Sequence, residues 1–122
     1  MEVTQDIGPA AQQLNIPAVG AYVNDISITA TKAGHTLILA KLDLFNLAIN
    51  EQIAIFLHRN GAFIPGSRAY RTTHAAEILD SLTAICAITD AAIGDIFKIF
   101  VTSSTGTADI DVNAGTLIIV TA

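Results

Sequence analysis

From residue 26 onward, apolar and polar side chains alternate with a period of two in one segment after another. Ile26, Ile28 and Ala30 alternate with Ser27, Thr29 and Thr31. Thr36, Ile38, Ala40, Leu42 and Leu44 share one parity, and Leu37, Leu39, Lys41 and Asp43 the other. Ile53, Ile55 and Leu57 alternate with Ala54, Phe56 and His58, and Phe97, Ile99 and Val101 with Ile96, Lys98 and Phe100. Ala108, Ile110 and Val112 alternate with Thr107, Asp109, Asp111 and Asn113. A period of two puts successive side chains on opposite faces of a pleated strand, and a helix cannot satisfy it. A chain written this way folds as stacked sheets, each with a buried face.

Turn chemistry separates these segments. Asn60-Gly61 is the strongest short hairpin signal, because a type I′ turn needs positive φ at both central residues. Pro65-Gly66 marks a second turn, with a return strand over 67–72, and Gly94-Asp95 a third. Ser103-Ser104-Thr105-Gly106 reads as a loop, and Ala114-Gly115 as a turn before an apolar closing strand at Thr116–Val120. The expected architecture is all-β: an antiparallel jelly-roll β-sandwich of about eight strands.

Two stretches resist this pattern. In 73–88, Ala75, Ile78, Leu79, Leu82, Ile85 and Cys86 fit a helical stripe, with Thr73 as a cap. The run Leu82 to Thr89 also alternates. Local spacing favours a helix over 75–82, and the surrounding strands favour a loop followed by a strand. For 75–86 the sequence leaves helix and strand open. Residues 1–20 carry Gly8-Pro9 and Pro17 among polar residues, and read as an extended N-terminal arm ahead of a domain at 21–122. Deleting 1–16 is then expected to spare the fold and remove the arm's attachment to neighbours.

With 122 residues, one domain is the natural expectation. Apolar residues make up 52% of the chain and charged residues 14%, against roughly 25% charged in a typical soluble domain. No apolar run reaches the roughly 18 residues that a membrane-spanning helix needs. Apolar surface in such excess is best hidden by packing against other copies of the chain. The net charge of −5 and the lack of a basic cluster argue against nucleic acid as a partner. The start, Met1 to Asp6, has no basic segment leading into an apolar one, so no signal peptide is expected.

No residue stands out for chemistry. Asp109, Asp111 and Asn113 would share one strand face, but the helix-loop calcium motif needs Gly sixth and Glu twelfth. Counted from Asp109, those places hold Ala114 and Val120. The three read as a solvated face, and whether they hold a cation in an assembly is left open. His35, His58 and His74 lack metal-ligand spacing, and each reads as a surface or interface residue. The single cysteine, Cys86, permits no internal disulfide and lies in an apolar run that favours the thiol. There is no nucleophile elbow and no phosphate loop. No enzyme activity, catalytic residue, cofactor or metal site is expected.

The order of several pieces then carries a resemblance. They are Ala33-Gly34-His35-Thr36-Leu37-Ile38, Ile55 to Gly61, Ala91 to Ile99 and Thr116 to Val120. Over about residues 22–122 the chain resembles the jelly-roll domain of tumour necrosis factor, complement-type collagen heads and many bacteriophage particle proteins. The helical stripe at 75–86 and the sparse aromatics depart from that pattern. The resemblance implies a homotrimer, with the closing strand at the three-fold axis and recognition through loops or the outer face. The expected function is a virion structural protein that decorates or cements a phage capsid, with the major capsid protein as partner. The alternative is a receptor-binding fibre head, whose loops at 60–66 and 103–106 engage a host glycan or protein. A secreted signalling ligand fits less well, because it would need a signal peptide.

Overall fold

The computed structural model describes residues 1–8, 12–16, 20–23, 26–45, 52–72, 80–103 and 108–122. They form strands β1 (Glu2–Ile7), β2 (Gln12–Ile16), β3 (Ala21–Tyr22), β4 (Ile28–Thr29), β5 (Gly34–Phe45), β6 (Gln52–Arg59), β7 (Ala62–Phe63), β8 (Ala69–Thr72), β9 (Asp80–Ala91), β10 (Ile96–Ser103) and β11 (Ala108–Thr121). The first sheet runs β1-β11-β5-β9, with β2 also on β11. The second runs β3-β10-β6-β7, with β4 also on β10 and β8 also on β6. Every pairing is antiparallel. The structure is thus all-β with two antiparallel sheets. Its eleven described segments exceed the eight expected because short segments share a partner: β1 and β2 lie along β11, β3 and β4 along β10, and β7 and β8 along β6.

The alternation read from the sequence sets the core. Thr36, Ile38, Ala40, Leu42 and Leu44 of β5 are buried, as are Ile53, Ile55 and Leu57 of β6 and Phe97, Ile99 and Val101 of β10. Leu82 and Ala84 of β9 and Leu117 and Ile119 of β11 complete the layer. Where the core ends, the buried hydroxyls of Thr36 and Thr121 pair at 3.1 Å. Asn60 and Gly61 have φ of 52° and 80°, the type I′ turn the Asn-Gly pair predicts.

One open question is decided and two expectations need revising. First, of the stretch 75–86 that the sequence leaves open between helix and strand, residues 80–86 lie in strand β9, the outcome the surrounding strands favour; 73–79 lie outside the described residues. Leu82, Ala84, Cys86 and Ile88 stand opposite Leu42, Ala40, Ile38 and Thr36, so pairing along β5 overrides the helical stripe. Second, Ala114-Gly115 is not a turn. β11 runs through it with a bulge: Val112 pairs with Leu44, and Ala114 with Asp43. The extra residue changes the parity of the strand, so the alternation expected of Asp109, Asp111 and Asn113 is interrupted before Asn113. Third, the two described stretches of the expected arm are strands paired with this chain's own β11. Asp6 also accepts the Ser27 backbone N–H at 2.9 Å, and the Thr31 hydroxyl donates to Glu2. Deleting 1–16 would therefore strip one whole edge of β11.

One backbone position is tightly constrained. Gly20 has φ of 92°, and a Cβ there would meet the Phe100 ring at 2.4 Å and the Val101 carbonyl at 2.9 Å. Strain and overlap act together, so Gly20→Ala is expected to lower stability by about 2 kcal/mol. Urea unfolding measures this, and an unchanged midpoint would contradict the close approach.

Candidate functional site

Two outer sheet faces and one ionic clamp are the features that bear on function. On the first sheet, the side chains that alternate with the core form cross-strand rows. One row is Val3, Val120, Leu37 and Ala87; the next is Gln5, Ile118, Leu39 and Ile85; a third is Ile7, Thr116, Lys41 and Thr83. The first two rows are almost wholly apolar and sit on a solvent-facing surface. Val3 is 58% exposed, Ile85 55% and Leu37 38%. Isolated exposed apolar residues are ordinary, whereas a contiguous patch of them marks an interaction surface. At its end lies an open apolar groove of about 400 Å³, lined by Met1, His35, Leu37, Ala87, Val120 and Ala122 among others.

The second sheet's outer face is aromatic. Tyr22 stands opposite Phe100, and Phe100 opposite Phe56. Lys98 stands opposite His58, and His58 opposite Phe63. The rings interlock. His58 stacks on Phe100 with centroids 4.4 Å apart, and Tyr22 meets both edge to face. The Tyr22 hydroxyl lies 2.9 Å from His58 Nδ1. Burial in this cluster lowers the His58 pKa. Phe56 and Phe63 meet edge to face. The Arg68 guanidinium lies 4.6 Å from the Tyr70 ring centre and 5.9 Å from that of Phe56, and the Lys98 ammonium 5.2 Å from that of Tyr22.

The clamp joins the β6–β7 hairpin to the β9–β10 turn. Asp95, only 8% exposed, is the centre. Its Oδ2 accepts the Ala92 N–H at 2.9 Å and Arg59 Nε at 2.8 Å, and its Oδ1 accepts Asn60 Nδ2 at 2.9 Å. Asn60 Oδ1 in turn accepts the Ile96 N–H at 2.8 Å. Arg59 also donates to the Asp90 carboxylate at 2.9 Å and the Asp90 carbonyl at 2.7 Å. The Ala92 N–H, then the Asn60 amide and Arg59, hold the Asp95 carboxyl below the usual carboxylate range. Hydrogen bonding to Asp90 and then Asp95 raises the Arg59 pKa. The effect of this cluster is to lock two turns together.

Of the sequence's candidates, His35 lies exposed at the groove of the first sheet, His58 in the aromatic cluster of the second, and His74 outside the described residues. The side chains of Asp109, Asp111 and Asn113 also lie outside them, as does most of the 103–106 loop. Cys86 is partly buried, and burial pushes its thiol pKa up. Among the described residues, no group of three or more His, Cys, Asp or Glu could hold a metal ion. No helix among them is long and apolar enough to cross a membrane. The aromatic face escaped the sequence reading because its rings come from β3, β6, β7, β8 and β10, far apart along the chain. Their common parity, opposite to the core residues of the same strands, was the available signal.

No family model matches the chain, and no curated protein does. Solved structures do match in fold. The Eiger tumour necrosis factor of S. frugiperda superposes with a TM-score of 0.67 at 13% identity, over 98% of this chain and 92% of that one. Murine APRIL gives 0.52 at 13% identity, over 96% and 91%. The VP2 subviral particle of infectious bursal disease virus gives 0.62 at 9% identity, over 98% of this chain and 32% of VP2. This chain thus spans about a third of VP2 and nearly the whole of the other two. At these identities the likeness is one of fold: this is a jelly roll of the tumour necrosis factor type, an architecture also found in a viral capsid protein.

Proposed function

We propose that this chain is a non-enzymatic structural protein of the virus particle, a homotrimer that decorates or cements a phage capsid and has the major capsid protein as its partner. The observation that carries the reading is the first sheet's outer face. A monomer would leave Val3, Leu37, Ile85, Ile118 and Val120 as one apolar surface in water. Isologous or cyclic packing of copies removes it, and closed symmetry prevents open-ended growth. A jelly roll with one sheet given to self-assembly keeps its other sheet and its loops for a partner. The fold's occurrence in a capsid protein supports a particle role, as does a site whose polar groups are used to join turns rather than to present a reactive atom.

The test is native mass by light scattering after size exclusion. A mass near three times 12.8 kDa is expected. A monomer would remove the reason for assigning the apolar face to assembly. Co-sedimentation with particles that lack the protein then tests decoration, and a trimer that never pellets with them would argue against it. The second reading, a fibre head that recognises a host glycan or protein, is favoured by the aromatic face of the second sheet. It predicts binding to host cells rather than to shells.

A further inference from the structure

The second sheet is the cationic side of an acidic protein. None of β3, β4, β6, β7, β8 and β10 contains an Asp or Glu, whereas the first sheet's strands contain Glu2, Asp6, Asp43, Asp80, Asp90, Asp109 and Asp111. On a chain of net charge −5, that segregation makes a local field of opposite sign. Lys98 and Arg68 supply its charge on the outer face. Both make cation–π contacts there, and neither forms an ion pair with a described residue.

Ring geometry narrows what such a face can receive. Bases and sugars bind aromatic side chains through open ring faces. Here those faces are partly taken: His58 and Phe100 cover one another, Arg68 lies over Tyr70, and Lys98 lies over Tyr22. Arg68 is exposed and Lys98 half-buried beside these rings. A guanidinium stacked on a ring keeps its N–H edge free for a carboxylate in bidentate geometry. Tyr, Phe and Arg on a rigid surface lacking carboxylates are also the composition of a protein-binding hot spot.

We propose that this face docks an acidic segment of a partner protein, with Arg68 and Lys98 receiving its carboxylates and the aromatic rows its apolar side chains. The proposal rests on the reading that the first sheet faces other copies of the chain, which turns the second sheet outward.

The probe is a labelled peptide that alternates glutamate with leucine, titrated with the full chain and followed by fluorescence anisotropy. Saturable binding is expected, weakening at least about tenfold as salt rises from about 0.05 to about 0.5 M. The Arg68→Glu/Lys98→Glu variant should lose at least about tenfold in affinity, and the milder Arg68→Gln/Lys98→Gln variant should lose less. Absence of saturable binding, or equal binding by wild type and both variants, overturns the proposal. So does stronger binding of a thymidine oligonucleotide or a sialylated trisaccharide run in parallel. Light scattering on the same samples separates the two readings. A trimer that does not bind the peptide rejects the docking face alone, and a monomer that binds it rejects the assembly reading alone.

Discussion

Asp95→Ala should lower the stability of the fold by about 3–4 kcal/mol, with Asp95→Asn lowering it by about half as much. The carboxylate is nearly buried and accepts from the Ala92 N–H, the Asn60 amide and Arg59 together. Alanine removes all three acceptor contacts at once, and with them the charge that joins the two turns. Arg59 retains Asp90, which limits the damage on the charged side. Asparagine keeps an acceptor oxygen and the shape, and loses the charge. The pH dependence follows from the direction of the Asp95 shift. Its folded pKa lies below the ordinary value of 3.8, so the unfolded chain takes up the proton first as pH falls. Stability from this group is therefore complete above the ordinary value and is lost as pH drops through the folded pKa. Melting temperature recorded from neutral pH to about pH 3 should fall more steeply in wild type than in Asp95→Ala. Parallel curves would mean that the clamp does not hold the carboxyl ionised.

How far such a clamp can be read in a sequence depends on what fixes it. Its two turns are local and were legible: Asn60-Gly61 and Gly94-Asp95 announce themselves through backbone preference alone. The partners they bring together are 36 residues apart for Arg59 and Asp95, so their meeting depends on the pairing of β6 with β10. The inward faces of β5, β6 and β10 were likewise legible, because burial on one side of a strand writes itself as parity. Where parity changes within a strand the reading failed. In β11 the bulge beside Asn113 splits one strand into two differently phased runs, and Ala114-Gly115 between them looks like a turn. In β9, Leu82, Ile85 and Cys86 suit a helical stripe, while the run Leu82 to Thr89 also alternates as a strand. Only the facing residues of β5 decide between them.

Leu37→Glu should convert the proposed trimer to a monomer. Leu37 lies on β5, inside the first sheet, between Val120 on one side and Ala87 on the other. Within a monomer its side chain is on solvent-facing sheet, so a glutamate there meets water, and the fold should change by less than about 1 kcal/mol. Within an assembly sealed by this face, the same glutamate is placed among the apolar rows formed by Val3, Val120, Ile118 and Ile85. Leaving a buried carboxylate unpaired costs several kcal/mol, and a cyclic trimer would incur that cost once per copy. Dissociation is the cheaper outcome. Lys41→Gln is the matched control: Lys41 shares β5's outer face, but its row is Ile7, Thr116 and Thr83, beyond the apolar rows. Light scattering should therefore give one chain's mass for Leu37→Glu and an unchanged mass for Lys41→Gln, with near-identical thermal unfolding once concentration is lowered enough for both to be monomeric. A Leu37→Glu protein that stays trimeric would show that the copies meet elsewhere, and would leave the apolar rows of the first sheet as a surface for a different protein.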